Sequence, residues 1–116
     1  MKEIKRGQIW SANLDGIGSE QKGKRPVLII QNDVGNKHSP TTIIAIITSR
    51  KTKAKLPTHY WIGCGNGTGL QVPSMIELEQ IRTIDKSRLV KQLGVVGIET
   101  DMPLIDEKLK ISVGLS

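Results

Sequence analysis

Two side chains suited to phosphodiester chemistry lie at the ends of two predicted strands. Arg25 precedes Pro26 and the apolar run 27–30, and Thr48 follows the apolar run 43–47. Arginine stays protonated near neutral pH, and its planar guanidinium matches phosphate oxygens. If the strands are antiparallel neighbours, the two residues meet at one rim of the sheet, where they could stabilise charge on a phosphate. By residue chemistry alone, a β-branched strand end and a surface ion pair explain them equally well.

The other titratable residues indicate a catalytic or metal site less strongly. His38 and His59 are 21 positions apart, and no carboxylate is spaced from them as in a known metal motif, so surface histidines are favoured over an acid–base pair. Glu77 and Glu79 share a strand face, where they either accept hydrogen bonds from RNA bases or pair with basic loops. The single cysteine, Cys64, excludes an intramolecular disulfide and a cysteine-based zinc site. We expect no metal and no cofactor.

Basic residues are concentrated between positions 22 and 55. That span holds eight Lys or Arg residues and one acidic residue, so its formal charge of +7 exceeds the +6 of the whole chain. Scattered surface lysines are the simplest explanation, but their grouping on two loops beside neighbouring strands favours a polyanion-binding face. Neutral side chains that both donate and accept suit the base edges of unpaired RNA; these are Ser19, Gln21, Asn32 and Gln80.

The elements that must hold these residues are short strands separated by turn signals. Alternation and β-branched runs predict strands at 8–14, 27–30, 42–48, 58–62, 71–78 and 93–96. Turns or loops are predicted at 15–23, 32–40, 50–55 and 63–69. Pro26 is expected at the first position of its strand, where its missing N–H is tolerated. Asp85 is predicted to cap a short helical turn, and Asp101 a C-terminal helix whose apolar face carries Ile105, Leu109 and Val113.

These elements predict one mainly β (α+β) domain over residues 1–116, a small curled antiparallel barrel with a C-terminal helix. The longest aliphatic run, Ile43–Ile47, is far shorter than a membrane span, and the N-terminus lacks the apolar core of a signal peptide. We therefore expect a soluble cytoplasmic protein with no membrane partner. No phosphate-binding loop or dinucleotide fingerprint is present, which excludes nucleotide-driven motors and dehydrogenases.

Several segments together make the chain similar to a known family. In chain order they are 6–10, 18–21, 25–27, 30–33, 39–41, 47–49, 55–59 and 79–86. In residue types, order and spacing, they resemble the MazF/PemK-type endoribonuclease toxins of toxin–antitoxin systems. The resemblance runs from about the sixth residue to the short helical turn. The chain departs from the family pattern at Lys22 and Lys24, in the 63–69 region and most strongly in 89–100.

The resemblance implies an SH3-like barrel of the plasmid-maintenance-toxin type that forms a homodimer. Such toxins cleave single-stranded RNA without a metal: the 2′-hydroxyl attacks the adjacent phosphorus, leaving a 2′,3′-cyclic phosphate and a 5′-hydroxyl. By position, Arg25 is the main catalytic residue and Thr48 assists it. The residues implied to bind RNA are Gly18, Ser19, Glu20, Gln21, Asn32, Ser49, Arg50, Ser74, Glu79 and Gln80. The implied protein partner is a cognate antitoxin with an acidic, partly disordered tail.

Two other functions remain open at this point. A gyrase-poisoning toxin of the same fold binds a protein and cleaves nothing, so it has no need of Arg25 beside Thr48. A non-catalytic RNA-binding module of SH3-like shape would need the basic loops alone. Both are distinguished from the nuclease by whether RNA is cut.

Overall fold

The computed structural model describes residues 3–15, 23–49, 56–65 and 67–116. The strands are β1 Gln8–Asn13, β2 Lys24–Ile29, β3 Thr41–Thr48, β4 His59–Ile62, β5 Ser74–Asp85 and β6 Leu89–Val95. The helices are α1 Asp33–His38 and α2 Met102–Ser112, and a 3₁₀ turn covers Lys86–Arg88. The strands form one antiparallel sheet in the order β4-β5-β3-β2-β1-β6. The predicted mainly β fold with a C-terminal helix is confirmed.

Each face of the curled sheet buries its own apolar cluster. In β2, Leu28 belongs to the cluster that α2 covers with Met102 and Ile105. Its neighbours Val27 and Ile29 belong to the second cluster, on the opposite face. Because successive strand residues point to opposite faces, a strand buried on both sides requires an unbroken apolar run. This explains the unbroken apolar runs Val27–Ile29 in β2 and Ile43–Ile47 in β3.

The curl brings the loop after β4 against β6, at the other end of the sheet. The backbone N–H of Val95 donates to the carbonyl of Gly67 at 2.9 Å. A Cβ on Gly69 would lie 2.0 Å from the carbonyl oxygen of Leu93, and a Cβ on Gly94 would lie 2.0 Å from that of Gly67. The two backbones therefore approach closely because these positions carry no side chain.

The prediction that 32–40 is a turn was wrong, because Asp33–His38 forms helix α1. Asn32 caps this helix, its Oδ1 accepting from the backbone N–H of Gly35 at 2.8 Å. Asn36 is buried, and its Oδ1 accepts from the hydroxyl of Thr42 at 2.7 Å. Tertiary hydrogen bonds thus stabilise a helix made of residues that are poor helix formers on their own.

Three strands, β2, β5 and β6, differ from those predicted by more than one residue at an end. Pro26 is the third residue of β2 rather than the first, and the β2–β3 ladder begins just after it, at Val27, so its missing N–H costs that ladder nothing. β5 continues to Asp85 through a register shift opposite the middle of β3. β6 begins at Leu89, directly after the 3₁₀ turn.

The two predicted caps have different outcomes. Asp85 caps the 3₁₀ turn as expected, its Oδ1 accepting from the N–H of Ser87 at 2.8 Å. Asp101 precedes α2 but makes no side-chain cap bond. Its carboxylate accepts instead from the Tyr60 hydroxyl at 2.7 Å and from the N–H of Gly97 at 3.0 Å. Asp101 thus links β4 to the start of α2. Among the described residues, no helix is long and apolar enough to cross a membrane.

Candidate active site

The two residues expected to act together lie at facing ends of neighbouring strands. β2 and β3 are antiparallel, and their ladder pairs Val27 with Ile46. When this register is continued two residues beyond the Val27–Ile46 pair, Arg25 lies opposite Thr48. On its other side, Arg25 pairs with Ala12 of β1. The predicted proximity of the start of β2 to the end of β3 is therefore confirmed. The catalytic role of Arg25 and Thr48 stays a prediction.

A row of four side chains crosses the sheet at this rim, and we call it the rim row: Arg25, Thr48, Met75 and Trp61. Thr48 is paired with Met75 on β5, and Met75 with Trp61 on β4. Thr48 is only 4% exposed, whereas Trp61 is 51% exposed at the sheet edge. The rim row thus runs from a cation, through a buried hydroxyl, to an exposed aromatic ring. This order suits a nucleotide whose phosphate and base are held separately.

The charged end of the rim row can stabilise a phosphate during a displacement at phosphorus. A guanidinium offers several N–H donors in one plane, and a neighbouring hydroxyl adds another. Because Arg25 lies on a strand, it is held in place before a substrate binds. A guanidinium is a poor base, since its deprotonation is so costly. Arg25 therefore suits stabilisation of developing negative charge better than removal of a proton.

Three ionisable side chains of β4 and β5 lie on the same face, and we call them the carboxylate–imidazole cluster: His59, Glu77 and Glu79. Nε2 of His59 lies 2.9 Å from Oε2 of Glu79 and 3.8 Å from Oε2 of Glu77. Thr58 donates its hydroxyl to the other oxygen of Glu79 at 2.8 Å. Glu77 is two residues from Met75 on β5, so the cluster lies about 7 Å along the strands from the rim row.

The two carboxyl groups of the cluster have pKa values shifted in opposite directions. Burial raises the pKa of Glu77, the charge of Glu79 raises it further, and His59 only partly offsets this. Burial would also raise the pKa of Glu79. Hydrogen bonds from His59, from the backbone N–H of Glu79 and from Thr58 outweigh that effect and hold the pKa of Glu79 below its usual value. The direct hydrogen bond to the imidazole ring therefore distinguishes Glu79 from Glu77.

Besides Glu79, which belongs to the cluster, three of the predicted RNA-binding residues lie close to these two features. Ser49 is exposed and directly follows Thr48, and Gln80 is exposed and directly follows Glu79. Ser74 is next to Met75 in β5, but it is buried and its hydroxyl donates to the carbonyl of Val72 at 2.9 Å. Ser49 and Gln80 are thus available to a ligand at the rim, whereas the hydroxyl of Ser74 is engaged within its own chain segment.

Asn32 lies away from the rim row. It follows the far end of β2, seven residues from Arg25, which is roughly 20 Å of extended chain. Its side chain is engaged as the cap of α1. The structure therefore does not bring Asn32 together with Arg25 and Thr48 within one chain.

The remaining predicted RNA-binding residues, Gly18, Ser19, Glu20, Gln21 and Arg50, lie outside the described residues. The two ends of the segment 16–22 are joined, however. The N–H of Leu14 donates to the carbonyl of Gly23 at 3.0 Å, and the N–H of Gly23 donates to Oδ1 of Asp15 at 2.7 Å. Arg88 also donates to the carbonyl of Asp15. The base of the predicted RNA-contacting loop is therefore anchored to the 3₁₀ turn.

Three residues near the site were not predicted from the sequence: His59, Trp61 and Arg88. His59 was interpreted as a surface residue, yet its side chain is only 8% exposed. For His59 and Trp61 a signal was available, because the short strand His59–Ile62 pairs with β5, which carries two glutamates. Nothing in the local sequence indicated that Arg88 reaches Asp15, because the two are 73 positions apart.

Comparison with known proteins identifies relatives that cover nearly the whole chain. Residues 5–113 match the model of a family described as the PemK-like, MazF-like toxin of type II toxin–antitoxin systems. A curated relative, Endoribonuclease EndoA of Bacillus subtilis, is 50% identical over 113 residues, which cover 97% of this chain and 96% of EndoA.

Solved structures of similar proteins support the same relationship. A mycobacterial endoribonuclease in complex with its cognate antitoxin is 27% identical, with a TM-score of 0.76 and coverage of 97% of both chains. MazF of Deinococcus radiodurans is 22% identical, with a TM-score of 0.79, coverage of 98% of this chain and 99% of the other, and agrees in fold. The family match and the 50% identity to EndoA show which family the chain belongs to. The solved structures show that these relatives have the same fold.

Proposed function

This chain belongs to the PemK-like, MazF-like toxins of type II toxin–antitoxin systems, and from that premise we propose that it is an endoribonuclease acting on single-stranded RNA. The observation that carries the proposal is the register of β2 and β3, which brings Arg25 opposite Thr48. A relative that is 50% identical bears the name endoribonuclease, which supports the same activity here.

The proposed reaction is a transesterification that needs no metal. The 2′-oxygen of one ribose attacks the adjacent phosphorus and gives its proton to solvent, while the bond from phosphorus to the 5′-oxygen breaks and that oxygen takes a proton from Arg25, which solvent then reprotonates. The products are a 2′,3′-cyclic phosphate and a 5′-hydroxyl. In this proposal Arg25 stabilises the negative charge that builds up on the phosphate oxygens and acts as the acid toward the leaving oxygen, and Thr48 donates to the same phosphate.

RNA binding in this proposal extends from the rim row in two directions. Trp61 and the exposed Gln80 offer a stacking surface and an amide on the β4–β5 side. Residues 18–21 and Arg50 contact RNA from the two neighbouring loops, and Ser49 and Glu79 contact it between them. Asn32 lies far from Arg25 in the same chain, so we propose that it contacts RNA beyond the cleaved phosphate or across a homodimer.

We further propose an antitoxin partner and a dimeric state. A mycobacterial relative has been solved with its cognate antitoxin, and the net charge of +6 on this chain favours a partner with an acidic segment. The family match spans residues 5–113, which supports one toxin domain over residues 1–116. We expect this toxin to act in the cytoplasm, where its messenger RNA substrates are.

A cleavage assay tests the proposal against the two other candidates. The purified protein is incubated with a long single-stranded RNA in EDTA, and the fragment ends are identified chemically. Discrete cuts with cyclic-phosphate and 5′-hydroxyl ends are expected. RNA that stays intact but bound would favour the non-catalytic module, and RNA neither bound nor cut would favour a gyrase-poisoning toxin.

Two variants test whether the cleavage activity depends on the rim row. Arg25→Ala should remove cleavage while RNA binding remains measurable. Lys110→Ala is the matched control, because it removes one positive charge from the exposed end of α2, which covers the other face of the sheet. Full activity in Arg25→Ala would show that the assigned site is wrong.

A further inference from the structure

The carboxylate–imidazole cluster has the donor set of a transition-metal site, and the proposed reaction does not use it in that way. One ring nitrogen and one oxygen from each carboxylate lie within 4.8 Å of one another. Ligand atoms around a tetrahedral Zn²⁺, with bonds of about 2.0–2.1 Å, are about 3.3 Å apart. The separations of 2.9 and 3.8 Å from Nε2 of His59 lie on either side of this value. Small side-chain shifts would therefore admit the ion.

We propose that His59, Glu77 and Glu79 bind Zn²⁺, and that the bound ion inhibits RNA cleavage by occupying Glu79. An imidazole with two carboxylates suits Zn²⁺ better than Mg²⁺ or Ca²⁺, which prefer all-oxygen ligand sets. Three protein ligands leave the fourth position of a tetrahedral ion open to water. The site would be a regulatory site beside a metal-independent active centre.

The hydrogen bonds around the cluster affect metal binding in two opposite ways. Thr58 hydrogen-bonds the oxygen of Glu79 that does not face His59, which orients the carboxylate as an outer-shell partner would. Nδ1 of His59 is buried, with no hydrogen-bond partner in the described part of the chain. Metal binding at Nε2 moves the ring proton to Nδ1, where the buried N–H has no acceptor, so this position lowers the affinity that the two carboxylates provide.

The exposure of the three side chains indicates how an ion would enter. His59 and Glu77 are 8% and 11% exposed, whereas Glu79 is 26% exposed. The ion would therefore reach the cluster along Glu79, the residue expected to contact RNA. A Glu79 carboxylate that ligates Zn²⁺ through one oxygen and accepts from Thr58 through the other has fewer lone pairs left for hydrogen bonds from a base. Inhibition by the ion rests on the proposed nuclease function, whereas metal binding does not.

Nitrogen NMR of the histidine rings tests metal binding in the unmutated ligand set. The chain has two histidines, and His38 is exposed on α1, so it is an internal control. Cys64 is an exposed thiol that could bind zinc itself, so Cys64→Ser is used throughout. Titration with ZnCl₂ should shift the ring nitrogens of His59 and leave those of His38 unchanged. Unchanged His59 signals, or equal shifts in both rings, would overturn the proposal.

Calorimetry of variants assigns the carboxylate ligand. Glu77→Gln keeps the shape of the side chain and removes its charge, and it should weaken Zn²⁺ binding by at least the roughly 10–100-fold that loss of an outer-shell partner costs. Glu107→Gln, on the exposed side of α2, is the matched control and should bind as before. Circular dichroism verifies that each variant is folded. If Glu77→Gln does not fold, His59→Gln takes its place. Equal affinity in the variant and the control would exclude the site.

A cleavage assay then separates the two parts of the proposal. The rate of each protein in Zn²⁺ is divided by its own rate in EDTA, which removes any effect of the substitution on basal activity. The ratio of the rate in Zn²⁺ to the rate in EDTA should be well below one for the Cys64→Ser protein. It should stay near one for Cys64→Ser/Glu77→Gln. Equal inhibition of both proteins would place the effect of the ion elsewhere. Absence of cleavage in EDTA would contradict the proposed function, while the NMR result would still decide metal binding.

Discussion

In the antiparallel register of β2 and β3, Arg25 falls opposite Thr48, two residues beyond the Val27–Ile46 pair. Arg25 lies near the start of β2 and Thr48 lies at the end of β3. Because the two strands are antiparallel neighbours, these ends meet at one rim of the sheet. The β2–β3 ladder begins only at Val27, so Arg25 and Thr48 lie beyond its last pair, at the rim of the sheet.

Thr48→Val should lower the cleavage rate by roughly 10²-fold, the scale of losing one hydrogen bond to a transition-state oxygen. Valine keeps the β-branched shape but removes a buried hydroxyl, so the free energy of unfolding should fall by about 1 kcal/mol. Thr42→Val is the matched control. It removes a buried hydroxyl that donates to Asn36, so it should lower stability by about 1 kcal/mol and keep the activity per folded molecule. Undiminished cleavage by Thr48→Val would exclude its role.

Glu77→Gln should change stability in a pH-dependent way. The pKa of Glu77 is raised in the folded state, so the folded protein holds this proton more tightly than the unfolded chain. The resulting stabilisation is complete below the ordinary value of 4.5 and is lost as pH rises through the folded-state pKa. Glutamine does not titrate, so the variant should gain stability relative to the wild type as pH increases. Urea unfolding in EDTA from pH 4 to 7 measures this, and a constant difference would contradict the raised pKa.

Glu79→Gln should show the opposite trend. The pKa of Glu79 is held low by His59, its own backbone N–H and Thr58, despite its burial. Its stabilisation is therefore present above the ordinary value of 4.5 and is lost as pH falls through the folded-state pKa. The variant should be less stable than the wild type at neutral pH, and the difference should shrink in acid. Because the change falls below the ordinary value of 4.5, urea titrations extended well below pH 4 measure it, and the two variants serve as controls for each other.

Gly69→Ala should destabilise the fold by about 3 kcal/mol or more, because it combines an unfavourable φ with a backbone clash. Gly69 has a φ of +73°, and its added Cβ would meet the carbonyl oxygen of Leu93 at 2.0 Å. Gly63→Ala is the matched control, since a Cβ there meets nothing within 4 Å. Thermal unfolding should show a large loss for Gly69 and little change for Gly63. Similar stabilities would mean that the loop does not pack on β6.

Much of the fold could be predicted because strands buried on both faces produce unbroken apolar runs. β2 and β3 were identified in this way, and the turn signals around them set the approximate boundaries. Helix α1 was missed because its stability comes from the buried Asn36 and its partners on β3 rather than from helix propensity. Asp101 was assigned as a cap from its residue type, but Tyr60, 41 positions earlier, is its hydroxyl donor.

The sequence by itself determined the chemical groups of the candidate site and the ends of the strands that carry Arg25 and Thr48. Local propensity and alternation suffice for this, because they act between residues that are close in the chain. Only the tertiary structure decided that His59 contacts Glu77 and Glu79, because that contact depends on which strands pair and in what register. A shift of one residue in the β4–β5 register would turn His59 away from both carboxylates. The carboxylate–imidazole cluster is therefore a product of strand pairing.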